Sequence, residues 1–248
     1  MTFNKFPYFT IIILLSFSGC IESNKKEKEV KKIVQKAKPV EQIKLSEKKQ
    51  NFKDILVPIA TDVYNELQSQ YLVIKFDIEH NQNRDKIENL KKEYKVKTDE
   101  ALLEALKPHP ISILLAQAAA ESGWMTSRFS KDANNIFGVW SYNQNEPRIA
   151  ALDSRGDKKV YLKKYPTLRA SVLDYYKNLG KNWAYEEFRK QRTLTNNPYI
   201  LVDYLKSYSE KREVYTELLK EMIKYNNFKM YDIDDTNVNK NKKKEEIK

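Results

Sequence analysis

Apolar residues return every three or four positions along most of the chain from Asn51 to Tyr225, the spacing of helices that bury one face. Phe52, Leu56, Ile59, Val63, Leu67 and Tyr71 form such a stripe across residues 51–77, where Pro58 is expected to kink the helix or mark its true start. Residues 85–94 read as a charged helix. Thr98 is placed to cap a helix over 99–107 whose first turn is acidic. Thr167 is placed in the same way before a face made by Leu168, Val172, Tyr175 or Tyr176, and Leu179. Shorter helices are expected over 183–191, 198–206 and 210–225. Residues 147–165 depart from this pattern. An apolar run at 149–152, turn residues at 153–157 and a second run at 160–162 predict a β-hairpin. The expected fold class is mainly α with one small hairpin, in one domain over residues 51–230 that is long enough to bury a substantial core.

Residues 111–142, ISILLAQAAAESGWMTSRFSKDANNIFGVWSY, carry the most chemistry. Pro110 suits a first helical position, where its missing N–H would be unbonded anyway. Ile111, Leu114, Leu115 and Ala118 mark a buried face, and Glu121 falls on that face just before Gly123, a natural helix stop. A carboxylate there is costly to ionise, so its pKa should rise and it can hold a proton near neutral pH, as a general acid must. The alternative is a last-turn carboxylate rotated to solvent, although a helix C-terminus disfavours negative charge. The loop that follows is dense in rings and amides. Trp124, Asn134, Asn135, Phe137 and Trp140 are the expected lining of a sugar cleft, with amides bonding hydroxyls and rings stacking on pyranose faces.

The ends of the chain differ from its middle. Lys5 precedes an apolar run over 8–17 that has the length of a signal-peptide core and is too short to span a bilayer. The run ends in Phe17-Ser18-Gly19-Cys20, which resembles a lipoprotein processing box with Cys20 as the lipidated residue. Residues 1–19 are thus expected to be a lipoprotein signal peptide. Residues 20–50, lysine-rich and without aromatics, are expected to form a disordered charged tether, and 231–248 a disordered basic tail. The net charge of +11 resides mainly in these ends: +5 over 21–50, +3 over 237–248 and one from Lys5, which leaves +2 for 51–236. A nearly neutral domain gives no indication of nucleic-acid binding. The expected location is the cell envelope, facing the periplasm or the outer side of a membrane.

Several chemistries drop out. Cys20 is the one cysteine, so no intrachain disulfide is possible. His80 and His109 lack metal-ligand spacing and read as surface or helix-junction residues. There is no glycine-rich phosphate loop or Ser/Cys nucleophile motif. No metal or cofactor is expected, and a glycosidase needs neither.

AQAAAESGW, SRF and ANNIFGVW resemble the glucosaminidase domain of bacterial peptidoglycan hydrolases, most closely its Bax-type members. Tyr165-Pro-Thr-Leu168, Ser171-Val172, Tyr175-Tyr176, Asn178-Leu179, Ala184-Tyr185 and Phe188-Arg189 extend the resemblance over roughly residues 51–227. It implies a lysozyme-like architecture with the hairpin beside the acid-bearing helix. It also implies cleavage of β-1,4 bonds in peptidoglycan strands as an endo-β-N-acetylglucosaminidase, with Glu121 as general acid. A lytic transglycosylase or muramidase, or a silent wall-binding module, would fit the same residues. The family's second carboxylate lies on the hairpin, which offers Asp157, Asp153 and Glu146, and a downstream family tyrosine matches Tyr185. Where no second carboxylate is well placed, the substrate's own N-acetyl group can serve as nucleophile.

Overall fold

The computed structural model describes residues 22–155 and 158–233, with side chains over 44–151 and 159–233. The expected signal peptide, Cys20, Asp157 and residues 234–248 lie outside the described residues. The chain divides into two units between Glu47 and Lys48.

The described part of the first unit, residues 22–47, is helical and belongs to α1 (Glu22–Glu79). This differs from the disordered tether that the composition predicts. Lys and Glu dominate the segment, and both are strong intrinsic helix formers, so a stretch too polar for a core still takes helical backbone.

The second unit begins at Lys48 rather than Asn51. Within it α1 buries Phe52, Leu56, Ala60, Val63 and Tyr64 in the main core and Ile74 in a smaller cluster with Ile87, Tyr94, Leu102 and Leu106. Pro58 neither starts nor ends the helix; it stands on the exposed face, where water can satisfy the carbonyl it frees. α2 (Arg84–Tyr94) and α3 (Asp99–Leu106) follow, joined by Asp99, which takes Arg84 at 2.9 Å and Lys91 at 2.6 Å. The Arg84 and Lys91 hydrogen bonds hold the Asp99 carboxyl below its usual range. Thr98 accepts from Ala101 N at 3.1 Å, the cap that the sequence predicts.

α4 (Ile111–Ser122) is the central helix, and every residue from Ile111 to Ala119 is buried. Its buried positions go round the whole helix, Ser112 and Gln117 among them, so it is wrapped on all sides rather than along one face. Pro110 is its N-cap, with ψ 141°, instead of its first helical residue. One of its open N–H groups, that of Ser112, is met by a residue 120 positions on. Asp232 Oδ1 accepts from Ser112 N and Oδ2 from Ser112 Oγ, both at 2.7 Å. Tyr231 and Asp232, expected in the disordered tail, therefore belong to the domain. His109, at the junction before α4, is fully buried and stacked on Tyr176 at 4.6 Å. Burial pushes its pKa down to about 3, so it stays neutral, with Nδ1–H donating to Pro110 O at 3.0 Å.

α5 (Arg128–Ala133) leads to the hairpin of β1 (Arg148–Arg155) and β2 (Lys158–Lys163), paired antiparallel. The register shifts between Ala150 and Ser154, where three β1 residues face one residue of β2. Asp153, expected in the turn, is consequently in β1. The hairpin packs on α5, and Arg128 donates to Ala150 O at 2.6 Å.

α6 (Leu168–Lys181) starts at the predicted Thr167 cap and buries both Tyr175 and Tyr176. A 3₁₀ turn (Trp183–Tyr185), α7 (Glu186–Leu194), α8 (Pro198–Leu201), a longer 3₁₀ stretch (Val202–Tyr208) and α9 (Glu213–Tyr225) close the order, with a last 3₁₀ turn at Phe228–Tyr231. The helix expected over 198–206 is thus divided, and Leu205 has left helical geometry at φ −98° and ψ 17°. Gly180 marks a close approach of α6 to α3, since a Cβ there would stand 2.6 Å from Ala105 O. Gly180→Ala should therefore cost roughly 1–3 kcal/mol of stability. Thermal unfolding checks this, and an unchanged midpoint would show that the two helices separate freely.

Candidate active site

Glu121 occupies the last turn of α4, and the backbone beyond it is bent sharply. Gly123, Trp124 and Met125 have φ of 59°, 65° and 60°, so two side-chain-bearing residues adopt left-handed geometry directly after the carboxylate. Ser122 ties this turn together: its Oγ donates to Ala118 O at 2.5 Å and accepts from Met125 N at 2.7 Å. The Glu-Ser pair thus joins a carboxylate to a residue that shapes the turn.

Glu121 as a residue is exposed, opening onto a cleft of about 1380 Å³ where the helix-face spacing predicts a buried position, and its carboxyl is partly desolvated. Burial of the carboxyl raises its pKa, opposed by a hydrogen bond from Tyr215 Oη to Glu121 Oε1 at 2.9 Å. Three tyrosines bear on the carboxylate, Tyr185 and Tyr208 from two 3₁₀ segments and Tyr215 from α9. Tyr208 stacks parallel to Tyr215 with centroids 5.8 Å apart, and Tyr185 lies 6.1 Å from Tyr208. Burial and the Glu121 charge push Tyr185 up to about 12 and raise Tyr208 and Tyr215 further, so all three are neutral hydrogen-bonding groups at ordinary pH.

Of the residues singled out in the sequence, Glu121, Phe137, Trp140 and Tyr185 line this cleft together. Phe137 stacks on Tyr175 at 4.1 Å and 12°, and Gly138 beside it adopts φ 66°. Trp124, Asn134 and Asn135 have other places. Trp124 is turned inward against Phe52 at 5.2 Å and Phe228 at 6.1 Å, so it packs the core where a sugar platform was expected. Asn134 ends α5 in left-handed geometry and donates to Tyr165 O at 3.0 Å. Asn135 is 1% exposed; its Nδ2 donates to Val139 O and Lys163 O and its Oδ1 accepts from Val139 N, all at 2.9 Å. That amide is fully engaged by backbone, and it shapes the loop rather than meeting a substrate.

Asp157 and the side chain of Asp153 lie outside the described residues. Glu146 accepts from Ser141 Oγ at 2.7 Å and is absent from the cleft lining. A carboxylate that the sequence reading passes over is in the cleft: Asp174, on α6, accepts from Tyr165 Oη at 2.6 Å and pairs with Lys163 at 3.1 Å. Tyr208 and Tyr215 were likewise missed. The aromatic spacing of 208 and 215, one on each side of a polar turn, is the only local signal they leave. A smaller cavity of about 320 Å³, lined by Glu66, Tyr94, Leu106 and Arg192, does not reach Glu121.

A raised-pKa carboxyl, open to a cleft and bordered by neutral phenols and rings, has the chemistry of a proton donor. Comparison with known proteins places the chain in a family. Residues 96–228 match the family Glucosaminidase, described as mannosyl-glycoprotein endo-beta-N-acetylglucosaminidase. The chain is 30% identical over 157 residues to the protein bax of Escherichia coli (strain K12), a match over 58% of this chain and 55% of bax, so it spans about half the length of that relative. Among solved structures it is similar to the catalytic domain of the autolysin Auto from Listeria monocytogenes, with TM-score 0.49 and 20% identity over 75% of this chain and 88% of that one. It is also similar to the glycoside hydrolase domain of FlgJ from Salmonella typhimurium, with TM-score 0.39 and 23% identity over 50% and 80%.

Proposed function

The chain belongs to the glucosaminidase family of glycan-cleaving hydrolases, and from that premise we propose that it cleaves peptidoglycan as an endo-β-N-acetylglucosaminidase with Glu121 as general acid. The observation that carries the reading is the Glu121 carboxyl itself, raised by burial, open to the cleft and bonded to Tyr215. A proton held there reaches the glycosidic oxygen as the bond breaks, and the oxocarbenium-like centre left behind needs a second group. Asp153 and Asp157 of the hairpin and the substrate's own N-acetyl group are the candidates; Asp174 is occupied by Lys163 and Tyr165. Tyr185 and Tyr208 stand beside the acid as neutral donors to substrate oxygens. Trp140 and Phe137 line the same cleft and supply faces for sugar rings.

Digestion of purified sacculi, with mass spectrometry of the products, tests the reaction. Reducing-end N-acetylglucosamine is the expected product. Anhydro-muramyl ends would assign a lytic transglycosylase, reducing-end N-acetylmuramic acid a muramidase, and binding without fragments a silent wall-binding module.

We further propose that Cys20 carries lipid and holds the enzyme at the cell envelope, since two or more acyl chains give stable attachment. Cys20→Ser should move the protein from the membrane fraction to the soluble fraction or block its processing. Unchanged fractionation, with no lipid mass on the mature N-terminus, would overturn the anchor.

A further inference from the structure

One hydrogen-bonded line runs from the core to the cleft. Tyr175 Oη donates to Gln117 Oε1 at 2.6 Å, Gln117 Nε2 donates to Tyr215 Oη at 3.0 Å, and Tyr215 Oη donates to Glu121 Oε1 at 2.9 Å. Tyr175, Gln117 and Tyr215 are buried, at 1%, 0% and 4% exposure, so water does not compete for these groups. The line has a chemical direction. An amide oxygen only accepts and an amide nitrogen only donates. Tyr175 takes the oxygen of Gln117, which leaves the nitrogen facing Tyr215. Once the Tyr215 oxygen accepts from that nitrogen, its own proton turns to the remaining acceptor, Glu121.

We propose that Gln117 is a positioning residue that fixes Tyr215 as a standing donor to the Glu121 carboxylate, and that this pair holds the acid's proton affinity below what its surroundings alone would give. The inference rests on the reading of Glu121 as general acid and adds how its protonation is tuned. Burial alone favours the neutral carboxyl, whereas a bond donated to the charged form favours ionisation. A protonated Glu121 that donated to Tyr215 would leave the phenol proton facing the Gln117 nitrogen with no acceptor. The fixed amide therefore stabilises the carboxylate that remains once the proton has gone to the leaving sugar. The other groups that bear on this charge are Tyr185 and Tyr208, from the elements before α9, and both are neutral.

The test is the titration of Glu121 in the full chain carrying side-chain-labelled glutamate, with the signal assigned through Glu121→Gln. Tyr215→Phe should raise the proton affinity of Glu121 about tenfold, the scale of one lost hydrogen bond to a charged group. Gln117→Met removes the director and should raise it in the same direction. Tyr175→Phe should do so as well, because the freed amide can rotate its oxygen toward Tyr215; this conservative variant serves if Gln117→Met does not fold. The alkaline limb of the pH profile for sacculus turnover should move upward with the titration. A packing role for Gln117 would leave both readouts in place, so parent-like titration in the folded Gln117 or Tyr175 variant overturns the proposal. The titration needs no substrate. A parent protein that fails to cleave sacculi would sink the proposed function while the titration still decides the network.

Discussion

Glu121→Gln should fold and should digest sacculi more slowly than the parent by roughly 100-fold or more, the scale on which a lost general acid is felt. The amide keeps the size of the side chain and still accepts from Tyr215, so the cleft is preserved while the transferable proton is gone. Stability should change in the opposite sense to activity. The Glu121 pKa is raised in the folded chain, chiefly by burial. The parent therefore loses stability as pH rises through the ordinary carboxylate range, where the unfolded chain ionises and the folded one resists. Glu121→Gln escapes that loss. Its thermal midpoint should lie above the parent's at neutral pH, and the gap should close below about pH 4. Turnover equal to the parent's would remove Glu121 from the chemistry, whatever the stability data show.

Asn135→Ala should lower stability by about 3 kcal/mol, because it strips partners from the backbone of Val139 and Lys163 in a buried loop. For a domain of this size that is a fall of roughly 10 °C in the unfolding midpoint. Activity should follow the folded fraction, and turnover well below the midpoint should stay close to that of the parent. An amide that bonded a substrate hydroxyl would behave in the reverse manner, losing turnover with an unmoved midpoint. Measuring both across temperature separates the two roles.

The adjacent tryptophan teaches a related lesson. Trp124 and Asn135 have the composition of a sugar site, and both belong to the fold. Composition reports which contacts a side chain is able to make. It does not report whether protein or ligand arrives first.

What the sequence determined alone is local. Thr98 and Thr167 cap their helices because a hydroxyl beside an acidic or apolar first turn meets an N–H three residues on. Gly123 stops α4 because left-handed geometry suits glycine. Glu121 stood out because a carboxylate at the end of an apolar helix conflicts with its surroundings, and such conflicts concentrate at sites of chemistry. Tertiary structure decided everything that depends on distant partners. Tyr215 reaches Glu121 across 94 residues of chain and Gln117 across 98, and Asp232 reaches Ser112 across 120. No spacing rule links such positions, since hydrogen-bond geometry is set within about 3 Å and the chain between contributes only a closure entropy that grows slowly with its length. The Glu121 carboxylate is therefore legible in the order of residues, whereas the tyrosine and the amide bonded in line with it appear only once the helices have packed.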